Sequence, residues 1–138
     1  MMRVVSFAVT IAAALAGCGI PADTPDNAAA LADIRSHRGG REVVVEGPVT
    51  RVFSPSGGAS GTHERFDVRV ESGGAAEDVL VADNITVGSP APVRRGDDVV
   101  VKGVLELDPS GPVIHWTHHD PRFRHAGGFV QLNGKKYD

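Results

Sequence analysis

The chain has little cysteine and little aromatic content: one Cys, one Trp and one Tyr occur among its 138 residues. A lone thiol can form neither an internal disulfide nor a zinc site built from several cysteines. The domain must therefore be stabilised by the packing of its core, without covalent cross-links.

Positive charge is scarce as well. There are 14 Lys and Arg residues against 17 Asp and Glu, which gives a net charge of −3. Proteins that bind nucleic acid carry a basic patch that meets the phosphates, so this composition argues against a nucleic-acid partner. After residue 16 the chain also has no apolar run that approaches the length of about 20 residues needed to cross a bilayer as a helix.

The N-terminus has the pattern of an export signal. Met1-Met2-Arg3 gives a positive start, and an apolar run of roughly 13 residues follows at 4–16, too short to span a bilayer. The run ends in Leu15-Ala16-Gly17-Cys18, which resembles a bacterial lipobox. We predict a signal peptide at 1–17, cleavage before Cys18 and a diacylglyceryl group on its thiol. The alternative is an ordinary secreted protein with a chance cysteine.

This interpretation predicts an envelope lipoprotein that is held in the membrane at Cys18 and faces the periplasm. Two or more acyl chains anchor a protein stably, whereas one anchors it marginally. Residues 18–24 are polar and contain proline, as expected of a tether, and Gly19 is compatible with the outer membrane. Without residues 1–17 the chain has 121 residues and a net charge of −4, and it is long enough for one small domain.

Residues 25–40 are predicted to form a short N-terminal helix on the surface of the main domain. Thr24 is the expected N-cap, with Pro25 in the first turn. Gly39-Gly40 ends the helical pattern, so we expect the helix itself at about 25–37.

From residue 41 the pattern changes to strands, and residues 41–138 are predicted to form one all-β domain. Gly47-Pro48 predicts a bend in the first strand. Phe66, Val68 and Val70 alternate with charged residues in the second strand and predict one buried face. The predicted strands are 41–53, 63–71, 77–82, 97–107 and 113–118, followed by a hairpin at 129–137 with a type I′ turn at Asn133-Gly134.

Five strands with a bend and a mid-strand glycine suit a small closed barrel. Gly96-Asp97 leads into a strand with Gly103 at its centre, a pattern that resembles the OB-fold. We therefore predict a small five-stranded OB-like barrel with a short N-terminal helix and a C-terminal hairpin. The helix that usually lies between the third and fourth strands of that fold is expected to be reduced to a loop.

Residues 115–125 hold four of the six histidines and the one tryptophan. Strand alternation places Ile114 and Trp116 on the core face, with His118 on that face at the strand end. The same alternation points His115 and Thr117 away from the core. The histidines of this run therefore cannot all meet at one point unless the strand ends between them.

After the strand, His118, His119, Asp120 and His125 can converge in one loop. Imidazole and carboxylate groups suit a divalent transition metal such as zinc, so one interpretation is a metal-dependent, nuclease-like hydrolase. The His-Glu-x-x-His helix of metalloproteases does not occur. The other interpretation is a polar corner, in which the imidazoles bond to backbone groups and carboxylates.

Two further stretches hold candidate site residues. His63 and Arg65 are predicted on the outward face of the second strand, where OB-like barrels commonly bind ligands. Arg65, Asp67 and Arg69 also fit a solvated stripe of alternating charge, and Asn84 either caps a loop or lines a site. The candidate ligand-binding residues are His63, Arg65, Asn84, His115, His118, His119, Asp120 and His125.

Several motifs together resemble one family of exported bacterial proteins, the domain of unknown function 3465. The resemblance covers about residues 43–138, and its most specific part is His-Trp-Thr-His-His-Asp-Pro at 115–121. It implies a periplasm-facing domain and no known activity. Asp83 stands where the family pattern usually has His, and Phe129 where it has Trp. The other motifs are Gly61-Thr62-His63-Glu64-Arg65-Phe66, Asp83-Asn84-Ile85, Gly96-Asp97, His125-x-x-Gly128 and Asn133-Gly134-Lys135-x-Tyr137.

Together these features predict a membrane-anchored envelope lipoprotein that acts as a binding module. Its ligand is expected to be an envelope molecule, a glycan or a protein partner, bound through the His-rich corner. The alternatives are a metal-dependent hydrolase that uses His118, His119, Asp120 and His125, and a structural envelope protein. Whether the chain is an enzyme stays open at this point.

Overall fold

A computed structural model describes residues 22–138 of the chain. The predicted signal peptide, Cys18 and most of the predicted tether lie outside the described residues. Within residues 22–138, no helix is long and apolar enough to cross a membrane.

The described residues form one short helix and seven strands, which confirms the predicted all-β class. Residues 85–97 connect the third and fourth strands without a helix, as expected. The elements are α1 (Asn27–Arg35), β1 (Arg41–Gly58), β2 (Gly61–Ser72), β3 (Ala75–Asn84), β4 (Asp98–Asp108), β5 (Gly111–His115), β6 (Phe129–Leu132) and β7 (Lys135–Tyr137).

Five of the strands close into a ring. Their order is β1-β2-β3-β5-β4, and β4 pairs back onto β1. The pairs are antiparallel except β3 and β5, which run parallel with Leu80 opposite Val113. Because each strand of a closed ring has a neighbour on both sides, its backbone groups find partners within the ring.

The first strand bends where predicted, and the bend lets it pair with two neighbours. Residues 41–48 pair with β4, and residues 49–58 pair with β2. The partner changes directly after Gly47-Pro48. A Cβ on Gly47 would overlap the carbonyl oxygen of Arg69, so the two backbones are too close at the bend for a side chain to fit between them.

The helix α1 is shorter than predicted and begins at a different cap. Asp26, rather than Thr24, is the N-cap, because its carboxylate accepts a hydrogen bond from the backbone N–H of Ala29 at 2.9 Å. The helix covers one end of the ring with Ala30 and Leu31, which are 2% and 3% exposed. It therefore contributes to the core and is more than the surface element expected.

The core lies inside the ring and consists largely of valine. The predicted alternation in β2 is confirmed, since Phe66, Val68 and Val70 are fully buried. Leu105 from β4 and Ile114 from β5 belong to the same cluster. Full burial of such side chains contributes about 1.5–3 kcal/mol each, so the interior of the ring is the main source of stability.

The C-terminal hairpin is also confirmed. β6 and β7 pair around Asn133-Gly134, whose φ angles of +51° and +77° are both left-handed, as a type I′ turn requires. β6 joins the hairpin to the ring with Val130 opposite Val101 of β4. Tyr137 of β7 packs against the core.

β5 and β6 follow one another along the same edge of β4. β5 lies opposite residues 104–108 and β6 lies opposite residues 99–102. We call the intervening residues, 116–128, the excursion, because the chain leaves the sheet there and returns beside the point of departure. β5 ends at His115 and not at residue 118 as predicted, because Trp116 has a left-handed φ of +59°.

Two glycines allow the excursion to leave and re-enter the sheet. Gly103 is the β4 residue between the stretches that pair with β5 and β6, and a Cβ there would overlap the carbonyl oxygen of His115. A Cβ on Gly128 would overlap the carbonyl oxygen of Trp116 and lie 2.5 Å from that of Lys102. The two ends of the excursion are therefore in backbone contact with β4 and with each other.

We predict that Gly103→Ala destabilises the domain by about 1–3 kcal/mol, the usual cost of forcing extra atoms into a packed site. The added methyl group has to displace the backbone of β5 at His115. Urea unfolding measures the change in the free energy of unfolding. Gly57→Ala is the control, because nothing lies within 4 Å of a Cβ at Gly57. Equal losses in the two variants would contradict a special close approach at Gly103.

Candidate functional site

A cavity of about 260 Å³ lies on the outer face of the ring, where the ends of β2, β3 and β5 meet the excursion. We call it the histidine pocket. A wider hollow of about 480 Å³ beside Glu46 and Asp98 contains none of the histidines. The residues that line the histidine pocket are Ser60, His63, Ala82, Asn84, His115, Trp116 and His118.

Four of the eight candidate ligand-binding residues meet in this pocket. His63 and Asn84 are direct partners across β2 and β3. His115 is the last residue of β5, and His118 enters from the excursion. Three strand ends and one irregular segment thus bring together groups that are distant in sequence.

Asn84 fills both roles that the sequence left open. Its side-chain amide donates to the carbonyl oxygen of Ser60 at 2.8 Å and accepts from the backbone N–H of Thr86 at 3.0 Å. These bonds fix the connection between β1 and β2 against the end of β3. Asn84 therefore caps a loop and also forms part of the pocket wall.

The prediction that Trp116 lies in the core is wrong. Its side chain is 43% exposed, and Thr117 is buried in its place with no exposure. The left-handed backbone of Trp116 breaks the strand alternation one residue after β5 ends. The indole ring stands at the pocket and packs against the ring of His125, with the centroids 4.6 Å apart and the ring planes tilted by 52°.

His118 is buried at 5% exposure, but it lies in the excursion beyond the end of β5, against the histidine pocket, and not on the core face of a strand as predicted. Its Nδ1 lies 2.6 Å from the carbonyl oxygen of His119. Because a carbonyl oxygen can only accept, Nδ1 is the donor of this bond. The ring also packs edge-on against His125, with the centroids 5.4 Å apart.

Asp120 organises the loop that follows. Its carboxylate accepts backbone N–H bonds from Arg122 at 2.9 Å, from Arg124, and from His125 at 2.8 Å. Burial alone would raise the pKa of Asp120, but these bonds and the nearby His125 ring outweigh burial and lower that pKa. Asp120 is thus a structural centre of the loop from 120 to 125.

The four predicted metal ligands, His118, His119, Asp120 and His125, do not form a metal site in this geometry. His119 is exposed, and the Asp120 carboxylate is occupied by backbone N–H groups. Nowhere in residues 22–138 do three His, Cys, Asp or Glu side chains converge as ligands of one ion. The metal-dependent hydrolase stays a prediction that the arrangement of these side chains does not support.

Arg65 does not line the pocket either. Its guanidinium lies over the ring of Phe53, 5.6 Å from the centroid. Arg69, further along the same strand, pairs with Glu71 at 3.2 Å and with Asp78 at 3.6 Å. Arg65 and Arg69 thus contact neighbouring side chains on β1, β2 and β3 and do not line the histidine pocket.

A buried pair of carboxyl groups, Glu64 and Asp83, was not predicted as part of the site. They are direct partners across β2 and β3. Asp83 is 1% exposed and accepts a hydrogen bond from the Thr117 hydroxyl at 2.7 Å, while Glu64 accepts the backbone N–H of Ala91 at 2.7 Å. The alternation of β3 gives a signal for this, because it places Asp83 on the same inner face as Val81.

The two carboxyl groups lie opposite each other across the strand pair, and two neighbouring carboxyl groups favour a proton on one of them. Burial, helped by the neighbouring Asp83 and opposed by the bond from the Ala91 N–H, raises the pKa of Glu64 to about 7. Burial also raises the pKa of Asp83, against the lowering effects of the Thr117 hydroxyl, Glu64, His118 and His63. The carboxyl pair therefore lies within electrostatic reach of two pocket histidines.

A family model described as "Protein of unknown function (DUF3465)" matches residues 10–138. The chain belongs to the DUF3465 family. This confirms the resemblance noted in the sequence motifs, and the matched range includes the whole histidine pocket. No curated protein and no solved structure matches the chain. The role of the DUF3465 pocket has to be inferred from its own chemistry.

The raised pKa of Glu64 predicts that the DUF3465 domain loses stability as the pH rises. Between the ordinary value of 4.5 and about 7 the folded state binds more protons than the unfolded chain. The stabilising contribution is complete below about 4.5 and is lost as the pH passes about 7. In Glu64→Gln, which keeps an acceptor for Ala91 N–H, the Tm should vary less across this range.

Thermal unfolding followed by circular dichroism at several pH values measures this effect. Glu77→Gln is the matched control, because Glu77 is an exposed carboxylate on β3. A wild-type Tm that rises across the same pH range, or the same flattening in both variants, would show that Glu64 does not hold the proton.

Proposed function

We propose that this DUF3465 chain is a lipid-anchored envelope protein whose histidine pocket binds a small neutral glycan. The observation that supports this most directly is the half-exposed indole of Trp116, which stands beside His63, His115 and the amide of Asn84. An exposed aromatic face next to several hydrogen-bonding groups suits a ligand that is apolar on one side and rich in hydroxyls at its edge.

The fold supports the same role. We propose that the ring of five strands is an OB-like barrel. In that fold the outer face of strands 2 and 3 and the adjoining loops bind oligosaccharides or oligonucleotides. The histidine pocket occupies that face, with His63 from β2, Ala82 from β3 and Ser60 from the β1–β2 connection. The predicted net charge of −4 for the mature chain favours a neutral ligand over a nucleic acid.

The pocket offers the polar groups that a sugar needs. Neutral imidazole has one N–H donor and one acceptor nitrogen, and an amide has both donor and acceptor atoms. A volume of about 260 Å³ is slightly below the roughly 300–1,000 Å³ of common small-molecule sites. It suits one sugar ring, with any further ring lying over the adjacent surface.

The proposed anchor follows from the N-terminal sequence. Cys18 ends an apolar run directly after Ala16-Gly17 and is the one cysteine of the chain. A diacylglyceryl group on its thiol, with cleavage before it, would hold the domain on the periplasmic side of the envelope. This location would place the histidine pocket among the glycans of the cell wall and membrane surface.

Fluorescence of Trp116 tests the pocket, because it is the one tryptophan of the chain. The probes are glucose, galactose, N-acetylglucosamine and its β-1,4-linked disaccharide. We expect a saturable change in emission with at least one of them. His63→Ala and His115→Ala should each weaken binding about 5- to 10-fold, the effect of losing a hydrogen bond worth about 1 kcal/mol.

His119→Ala is the matched control, since His119 is an exposed histidine outside the pocket. Its affinity for the sugar should equal that of the wild type. No saturable response to any of the four sugars, or an equal loss in all three variants, would contradict glycan binding in the histidine pocket.

Metabolic labelling tests the anchor. Cells that express the full chain and are fed an alkyne-bearing fatty acid should produce labelled wild-type protein and unlabelled Cys18→Ser protein. Gly19→Ala keeps the thiol and serves as the control, so it should be labelled. Label on Cys18→Ser, or wild-type protein without label, would refute lipidation at Cys18.

A further inference from the structure

The excursion carries the most exposed large apolar side chain in the described part of the molecule. Phe123 is 93% exposed, whereas the exposed fractions of Val52, Val87 and Trp116 lie between 37% and 45%. At this exposure the Phe123 ring is not buried by its own chain, so it adds almost no hydrophobic stabilisation to the fold. A ring displayed so completely is available for contact with another surface.

Two arginines flank this ring. Arg122 and Arg124 are both exposed, and within residues 22–138 neither forms an ion pair with a carboxylate. The domain as a whole carries more acidic than basic residues, so the Arg-Phe-Arg tip stands out in charge as well as in hydrophobicity. An aromatic ring between guanidinium groups matches the boundary between lipid headgroups and acyl chains.

The shape of the tip is fixed from within. The carboxylate of Asp120 accepts the backbone N–H groups of Arg122 and Arg124, and the Asp120 carbonyl oxygen accepts that of Phe123 at 3.1 Å. Phe123 has a left-handed φ of +51°, a conformation that a bulky side chain rarely adopts. The loop thus holds the ring outward and does not fold it back onto the domain.

The base of the excursion lies beside the start of the described chain. Asp23 pairs with Lys102 at 3.1 Å and with Lys136 at 2.8 Å. Lys102 is the β4 residue whose carbonyl oxygen contacts Gly128 at the end of the excursion. Four residues lie between Cys18 and Asp23, and the five extended steps from one to the other span at most about 18 Å.

We propose that Arg122, Phe123 and Arg124 contact the same bilayer that holds Cys18, with the ring in the headgroup region and the guanidinium groups on the phosphates of anionic phospholipids. The proposal rests on the proposed lipid anchor, which would hold the base of the excursion near the membrane. The two contacts together orient the domain. The ring of His125, which follows the tip, packs against Trp116 of the pocket wall, so this orientation sets the histidine pocket close to the membrane surface.

A tryptophan at the tip tests the contact. The full chain carrying Trp116→Phe and Phe123→Trp is expressed with its N-terminal signal, purified in detergent and reconstituted on vesicles of phosphatidylcholine with phosphatidylglycerol. Lipids brominated on their acyl chains should quench the emission at least about two-fold, because quenching needs contact with the upper acyl region. The matched control carries Trp116→Phe and Val52→Trp, which places the probe on β1 at another exposed apolar position, and it should not be quenched.

Charge supplies the second arm of the test. Adding Arg122→Gln and Arg124→Gln to the tip probe, or replacing phosphatidylglycerol by phosphatidylcholine, should remove most of the quenching. Absence of quenching at the tip, or equal quenching at position 52, would overturn the membrane contact.

Flotation with pure phosphatidylcholine vesicles tests the anchor separately. Protein that floats on neutral vesicles but shows no quenching at the tip on anionic vesicles retains the anchor and refutes the loop contact. Quenching on anionic vesicles without flotation on neutral ones supports the loop and refutes the anchor.

Discussion

The close approach of backbones around Gly103 is the constraint on which the rest of the structure depends. β5 and β6 share one edge of β4, and the chain between them has to leave and return within the width of one residue. The absence of a side chain at Gly103 and Gly128 permits this, because a Cβ at either position would overlap a neighbouring carbonyl oxygen. The ring stays closed while the excursion projects from its side, and the excursion supplies Trp116 and His118 to the pocket.

Buried polar groups hold the first residues of the excursion against the ring. The Thr117 hydroxyl donates to Asp83, and the carbonyl oxygen of His118 accepts the N–H of Gly128. Burying two facing carboxyl groups such as Glu64 and Asp83 is costly when both are charged, and a proton on one of them reduces that cost. The buried groups that hold the pocket wall in place therefore also make the free energy of unfolding depend on pH.

The regular elements could be predicted from the sequence because their signals are local. The alternation of Phe66, Val68 and Val70, the bend at Gly47-Pro48 and the turn at Asn133-Gly134 each depend on neighbouring residues in one strand or turn. The end of β5 depends instead on the left-handed backbone of Trp116, which the return of the chain at Gly128 imposes. Alternation alone therefore extended the strand too far and placed Trp116 in the core.

The histidine-rich run marked the right region but not the right partners, for a related reason. His63 and Asn84 were candidates from other stretches of the sequence, and strand pairing across β2 and β3, which no local pattern specifies, places them side by side in the pocket. Asp120 was predicted as a metal ligand, but its carboxylate accepts hydrogen bonds from the backbone of its own loop. Through that loop it fixes Phe123 outward and His125 against Trp116. A contact between the tip and any surface would therefore be passed to the pocket wall through the packed rings of His125 and Trp116. The orientation of the domain and the shape of the pocket are then coupled through this contact.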